Sequence, residues 1–389
     1  MISERYDLVV IGGGIHGVGV AQAAAAAGHR VALIEKERLA AGTSSRSSKL
    51  IHGGLRYLAQ FHLPLVRTSL HEREILLRIA PRLVRRVPFY IPVYPESRYG
   101  SFRLHAGLTL YSLLGGLGSD SRFSRVDPEE YGALDGLTTE SLRAVFRYTD
   151  AQTDDVELTQ AVMRSAKQLG AVLLCPALFR AARQDGAGYE IEFEEADGPV
   201  RRCFAATVVN AAGPWINRVH ALVSPALDPY PADLVQGAHL VLPQEIHRGV
   251  YYVEAIADRR PVFVMPWYQN TLIGTTETLF DGDPENVRAT DREVEYLLET
   301  YRRYFPERTD EPISSFAGLR VLPRAKGGMN ARSRETAFPT DRKHNPRWVT
   351  IAGGKLTSYR STAERALAIL SGALPVERPI ADTETLSLG

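Results

Sequence analysis

The pattern of apolar and polar positions opens with Asp7 to Ile11, a short β-branched run stopped by three glycines. The stretch "IHGVGVAQAAAAAGH" then predicts a helix of small residues ending at Gly28, and "RVALIE" predicts a second strand. A strand, a helix and a strand thus open the chain. Asp154 and Asp155 precede a predicted helix up to Lys167, with Gly170 just beyond its end. "GAVLLC" and "YEIEFEE" read as strands around a polar turn, and "AATVVNAAGPW" as a buried strand ending in small residues.

From Gly237 the pattern changes to alternation: "AHLVLP", "VYYVEA", "PVFVMPWY" and "TLIGTTE" predict an antiparallel sheet, with Gln269-Asn270 as a tight connection. Thr290 and Glu293 form a capping box ahead of the helix "VEYLLETYRRYF". "WVTIAGGKLTSYRSTAERALAIL" returns to a strand, a glycine turn and a helix closing near Gly372. No repeat or low-complexity linker separates the two patterns, so the domains are expected to interleave.

The chain has 389 residues, 44% hydrophobic and 23% charged, which is an ordinary globular balance for one large or two ordinary domains. A formal charge of +1 gives no global field to recruit nucleic acid or an anionic membrane, so anion recognition must be local. The longest uncharged apolar run, Ala106 to Leu117, is too short for the roughly 20 residues of a membrane span; it reads as a buried helix, with a surface-dipping segment as the alternative. Cys175 and Cys203 lack metal or disulfide spacing and are expected to be buried, inert thiols of a reducing compartment. The first residues lack a charged-then-apolar leader, so the expected location is cytoplasmic.

Gly12, Gly14 and Gly17 fit G-x-G-x-x-G between a strand and a helix, with Glu35 ending the next strand. Such a turn lets backbone N–H groups approach a pyrophosphate at a helix N-terminus, and the carboxylate accepts from ribose hydroxyls. The fingerprint alone does not separate NAD from FAD. Two distant segments do: "VVNAAGPW" and "IAGGKLTSYR" each end a strand in small residues, as needed where backbone passes close to a long cofactor. With the first turn they favour an extended FAD, and a helix starting near Thr357 would aim its N–H groups at the flavin. In "TSSRSSKLIHGGLRYL", Ser44, Ser45, Ser47 and Ser48 are small donors for the pyrophosphate and ribityl chain, and "LIHGGLRY" would run past the flavin toward substrate.

These motifs, together with "FVMPWYQNTLIGTTE" and "FAGLRVLPR", resemble the FAD-dependent glycerol-3-phosphate dehydrogenases, relatives of glycerophosphate oxidase, in order over nearly the whole chain. The resemblance implies an α/β fold, with a glutathione-reductase-type FAD-binding domain interleaved with an α+β substrate domain that contains the antiparallel sheet. Residues 1–62, 146–216 and 312–375 would form the first, 63–145 and 217–311 the second, and 376–389 a C-terminal tail. The implied reaction is oxidation of sn-glycerol 3-phosphate to dihydroxyacetone phosphate, with electrons passed to quinone or another acceptor. Peripheral contact with the inner face of the cell membrane and a homo-oligomer are compatible with it. The segment after "GLRVLPR" departs from the family pattern, and the resemblance implies a helical C-terminal domain, common in the family, beyond the expected last helix.

The cofactor-binding set expected on this basis is Gly12, Gly14, Ile15, His16, Gly17, Glu35, Lys36, Thr43, Ser44, Ser45, Ser48, Lys49, Leu50, His52, Ala177, Leu178, Ala211, Ala212, Gly213, Trp215, Gly274, Gly318, Arg320, Gly353, Gly354, Lys355, Leu356 and Thr357. A phosphate dianion in a closed pocket calls for charge-assisted donors, which Arg320 and Arg334 would supply, with Arg56 and Lys355 nearer the reacting carbon. Oxidation of a secondary alcohol sends the C2 hydrogen as hydride to flavin N5 while a base removes the hydroxyl proton. Imidazole, with an ordinary pKa of about 6.5, suits that second role. His52 ranks first and His239, on the first antiparallel strand, second; Tyr57 would shape the pocket. Two other readings stay open: an FAD-dependent amine or 2-hydroxy-acid oxidase whose arginines hold a carboxylate, and a non-catalytic flavin-binding subunit. Metal-ligand spacings and a G-x-S-x-G elbow are lacking.

Overall fold

The computed structural model describes residues 4–58, 61–116, 122–196, 198–324 and 335–389. The chain runs through β1 (Glu4–Ile11), α1 (Ile15–Ala26), β2 (Val31–Ile34), β3 (Leu50–Ile51), α2 (Leu55–Leu58), α3 (Leu63–Ile79), β4 (Val84–Val93) and α4 (Ser101–Leu114). Next come β5 (Ser124–Arg125), β6 (Ala144–Thr153), α5 (Asp155–Gln168), β7 (Val172–Leu174), β8 (Ala177–Asp185), β9 (Gly188–Glu195), β10 (Val200–Asn210), α6 (Ile216–His220) and β11 (Val223–Ser224). The last part is β12 (Ala232–Leu242), β13 (Val250–Glu254), β14 (Pro261–Trp267), β15 (Asn270–Gly274), β16 (Thr278–Phe280), α7 (Asp291–Tyr304), β17 (Ser314–Pro323), β18 (Trp348–Thr350) and α8 (Tyr359–Leu370).

Among the described residues these strands form two sheets, and the chain crosses between them repeatedly, as expected for interleaved parts. In the first, β18, β10, β1, β2 and β7 lie side by side and parallel. β10 is long enough to serve two neighbours: its residues 200–205 pair antiparallel with β9, and its residues 208–210 pair with β18. The period-two pleat of β1 sends Leu8 and Val10 into the core under α1, α5 and α8, and Val9 and Ile11 into the core on the opposite face. Each fully buried aliphatic side chain there contributes about 1.5–3 kcal/mol.

The small residues of α1 allow close packing. A Cβ on Gly19 would lie 2.7 Å from the ring of Tyr359 on α8. The buried Arg360 on α8 reaches Glu72 on α3 through Nη2 to Oε1 (2.7 Å) and Nε to Oε2 (3.0 Å), which locks the two helices together. The tail then straps across this layer, with the N–H groups of Ile380 and Ala381 donating to Ala26 O and that of Leu388 to Ile79 O.

The second sheet has the order β16-β12-β15-β14-β13-β4-β6-β3, with β17 also paired to β12 and β5 to β6. One face packs on α7, the other on α2, α3 and α4. The capping box at Thr290 and Glu293 forms as read, and Asp154 caps α5 by accepting from Val156 and Glu157. Three details differ from the sequence reading. The tight turn between β14 and β15 is Tyr268-Gln269, both at positive φ, while Asn270 already pairs with Trp267. Sheet pairing also puts residues 144–153 and 314–323 in the second sheet, whereas the resemblance implies 146–216 and 312–375 as parts of the first domain. Alternation reveals a strand but not its neighbour. Cys203 is buried as expected, whereas Cys175 is only half-buried.

Candidate cofactor and substrate site

Four parallel strands of the first sheet end at the same edge. Ile11 is paired with both Asn210 and Ile34, and Asn210 with Thr350, so the turns that follow β1, β10 and β18 stand side by side with Glu35 at their flank. Ligands bind at such carboxyl ends in open α/β sheets. Here the turns border a cavity of about 800 Å³ that continues to the second sheet. Gly12 has φ +107°, and a Cβ on it would lie 2.7 Å from Ala211 O, so the first two turns are in contact through bare backbone. Gly353 and Gly354, at φ +87° and +98°, complete the third turn.

At the dinucleotide end, Gly13 N–H donates to Glu35 Oε2 (2.7 Å), and Ile15 N–H, at the start of α1, donates to Ser44 Oγ (2.9 Å). The loop after β2 is held against the second sheet by Thr43, whose hydroxyl donates to Leu319 O (2.7 Å). Trp215 lies under the Lys36 ammonium, 4.6 Å from ring centroid to Nζ, and Lys36 pairs with Glu285. Ala177, Leu178, Ala211, Ala212, Gly213, Trp215, Gly318, Leu356 and Thr357 all line the cavity, as do Ser48 and Leu50.

Four expected cofactor residues stand behind this wall. A Cβ on Gly17 would meet Gly12 O at 1.9 Å and one on Gly274 the His239 ring at 2.1 Å, so both serve close packing. Ser45 Oγ donates to Gly42 O. Lys49 is buried and donates to Asp155 Oδ1 (2.7 Å) and Ser45 O (2.6 Å), while Ser47 donates to Asp155 Oδ2 through its N–H and its hydroxyl. Lys49 thus pins the serine loop to the first turn of α5 and leaves the cofactor wall to its neighbours.

An extended dinucleotide fits what remains. The cradle is backbone where a Cβ would intrude, and two buried polar atoms, His16 Nε2 and Trp215 Nε1, belong to cavity-lining residues and have no hydrogen-bond partner among the described residues. A buried donor left unmade costs about 1–3 kcal/mol, which a bound ligand recovers. Burial also holds the His16 imidazole down at about 4.

At the other end of the cavity stand His52, Arg56, Tyr57, His239, Arg320 and Lys355. The backbone N–H of His52 donates to Thr357 Oγ1 (3.2 Å), and its ring meets Phe263 edge-on. Burial, and then the cations Lys355, Arg56 and Arg73, hold its imidazole down at about 3, so it is neutral near pH 7. Lys355 Nζ lies 4.0 Å from the centroid of the Tyr57 ring. Arg320 is steered by Thr276 O (3.4 Å) and Thr275 Oγ1 (3.2 Å). His239 stacks on Phe316 and shares a 2.9 Å hydrogen bond between Nε2 and Ser48 Oγ; burial and then Arg320 and Lys49 hold it well below its ordinary pKa. Arg334 lies outside the described residues. Tyr148, Gly237, Tyr252, Phe263 and Thr275 line the same end and were missed in the sequence, where aromatic residues on alternating strands read as core. Among the described residues no group of His, Cys, Asp or Glu is placed to hold a metal ion.

A parallel sheet with a glycine-turn cradle, opening onto a cation-lined pocket with a neutral imidazole, defines a dinucleotide-dependent oxidoreductase. The FAD dependent oxidoreductase family model matches residues 7–354. The chain is similar to D-erythritol 1-phosphate dehydrogenase of Brucella abortus (strain 2308), with 37% identity over 96% of this chain and 75% of that one. It is also similar to the aerobic glycerol-3-phosphate dehydrogenase of Escherichia coli (strain K12), with 34% identity over 95% and 74%. The glycerol-3-phosphate dehydrogenase from Bacillus halodurans, solved in complex with FAD, superposes with a TM-score of 0.76 at 28% identity, covering 99% of this chain and 68% of that one. The chain belongs to the FAD-dependent glycerol-3-phosphate dehydrogenase family of FAD dependent oxidoreductases.

Proposed function

We propose that the protein oxidises sn-glycerol 3-phosphate to dihydroxyacetone phosphate. The carrying observation is the meeting of three cations, Arg56, Arg320 and Lys355, with the neutral imidazole of His52 at one end of the cofactor cavity. Arg320 binds the phosphate dianion, a charge-assisted contact that guanidinium geometry favours. His52 takes the proton of the C2 hydroxyl. Arg56 and Lys355 stabilise the alkoxide as it develops. FAD, when bound, supplies the hydride acceptor; the glycine turns, Glu35, His16 and Trp215 hold it. His239, fixed on Ser48, serves the wall between the two ends.

A four-carbon polyol phosphate is the second reading, favoured by the 37% identity to a D-erythritol 1-phosphate dehydrogenase. Both substrates present a phosphate and a secondary alcohol to the same groups. Comparing kcat/KM for the two with an artificial electron acceptor decides between them: glycerol 3-phosphate is expected to be preferred, and a higher value for the tetritol phosphate reverses the assignment.

The electron acceptor in this reading is a quinone reached at a membrane surface. No helix among the described residues is long and apolar enough to cross a membrane. On α4, however, Phe102 is 86% and Leu113 52% exposed beside Arg103, and Phe61, just after the α2 helix that packs with α4, is 84% exposed. That combination suits shallow insertion among anionic headgroups. Co-sedimentation with anionic vesicles, lost on Phe102→Ser, is the expected result; equal sedimentation of both proteins contradicts it.

A further inference from the structure

Beneath the turn that follows His52 lies a buried charged cluster that the reaction as described does not use. Arg73 on α3 and Asp150 on β6 are each about 1% exposed and meet at 2.5 Å between Nη1 and Oδ1. Tyr111 on α4 donates its hydroxyl to Asp150 Oδ2 (2.7 Å). Asp150 also takes the backbone hydrogen bond of Gly53. The approach is close: a Cβ on Gly53 would lie 2.5 Å from Tyr111 Oη and 2.6 Å from Leu70. The peptides on either side of His52 are therefore clamped from two directions, by Thr357 ahead of α8 and by Asp150 on the second sheet.

Stability does not account for such a cluster. Desolvating two charges offsets most of their attraction, and apolar side chains of similar volume would serve the core at least as well. What the cluster provides is direction, because a carboxylate with three fixed donors admits one placement of the 52–53 peptide. It also balances charge. The groups around His52 are Lys355, Arg56 and Arg73, all cationic, the phenols of Tyr57, Tyr111, Tyr148 and Tyr252, the buried anion Asp150, and Glu74, which pairs with the far side of the Arg73 guanidinium.

We propose that Asp150, supported by Arg73 and Tyr111, is a positioning residue that holds the His52-Gly53 turn in place for catalysis. The proposal rests on the reading of His52 as the base. Asp150→Asn keeps an acceptor for Gly53 and removes the buried charge, leaving Arg73 with only the half-exposed Glu74 carboxylate, at 2.8 Å, to balance it beside His52. In the FAD-loaded protein this variant is expected to retain its flavin, and anaerobic flavin reduction by glycerol 3-phosphate is expected to slow by about ten- to a hundred-fold. The acid limb of that rate against pH is expected to move to lower pH, a shift that a purely structural loss would not give. In a His52→Asn background the second substitution is expected to add nothing further. A wild-type rate with an unmoved limb in Asp150→Asn, or full additivity with His52→Asn, overturns the proposal. A wild-type rate in His52→Asn alone instead overturns the reading of the base. Should Asp150→Asn fail to take up FAD, Tyr111→Phe keeps the ion pair and removes one of its supports. It is expected to reduce its flavin about threefold or more slowly with the flavin retained, and a wild-type rate in it also overturns the proposal.

Discussion

The backbone N–H of His52 donates to Thr357 Oγ1 at 3.2 Å, joining residues 305 positions apart in the chain. This bond ties the loop that carries the proposed base to the turn that leads into α8, and so joins the substrate wall to the cofactor wall. A base acting within hydrogen-bond reach of its proton needs that constancy. His52→Asn is therefore expected to keep FAD and lose about 10²- to 10⁴-fold in the rate of flavin reduction by substrate. Rapid anaerobic mixing measures it, with visible absorbance reporting both retention and rate.

Arg320 sits between Thr275 and Thr276 and faces the substrate end. Arg320→Ala removes the main proposed phosphate donor while leaving the flavin cradle intact. KM for the phosphorylated substrate is expected to rise about ten- to a hundred-fold, since a hydrogen bond to a charged group is worth about 1.5–3 kcal/mol. Steady-state kinetics checks it; a change confined to kcat would place Arg320 elsewhere in the mechanism.

The contact between the first two turns has no room for a side chain. Gly12→Ala would bring a Cβ to 2.7 Å from Ala211 O at a φ of +107° that alanine rarely adopts. The expected product is a protein purified without yellow colour, or with FAD affinity lowered at least about tenfold. Flavin fluorescence on titrating the apoprotein measures this.

Stability should also respond to pH. His52 and His16 are held at about 3 and about 4 in the folded protein, against about 6.5 when unfolded. The unfolded chain therefore binds more protons between those values. Stability from these neutral histidines is present above pH 6.5 and is lost as pH falls through the window toward 4, at up to about 1.4 kcal/mol per pH unit for each group. Thermal unfolding followed from pH 7.5 to 5 is expected to show a falling Tm, with a shallower slope in His52→Asn.

Much of this was readable in the sequence because it is written locally. Glycines 12, 14 and 17 between an apolar run and a small-residue helix mark a dinucleotide turn wherever they occur. The turns at Gly213 and Gly353 each follow a strand that ends in small residues, and parallel pairing of those strands sets the three turns side by side. Other features depend on partners that a sequence does not display. Lys49, in the middle of the serine segment, reads as a cofactor contact from the sequence, yet its ammonium is taken up by Asp155, a partner 106 positions away. Gly274 makes room for His239, a neighbour 35 positions away. Tyr252 and Phe263 resemble core residues of any alternating strand, and only the position of the second sheet against the cavity makes them part of its lining. The Arg73 and Asp150 pair came from two segments with no motif at all.

The most direct test is to mix the FAD-loaded protein with sn-glycerol 3-phosphate in the absence of oxygen and follow the flavin absorbance. Stoichiometric bleaching, with dihydroxyacetone phosphate formed in equal amount, is the result expected. A flavin that stays oxidised with this substrate and with D-erythritol 1-phosphate, yet bleaches with an amine or a 2-hydroxy acid, would contradict the polyol phosphate assignment.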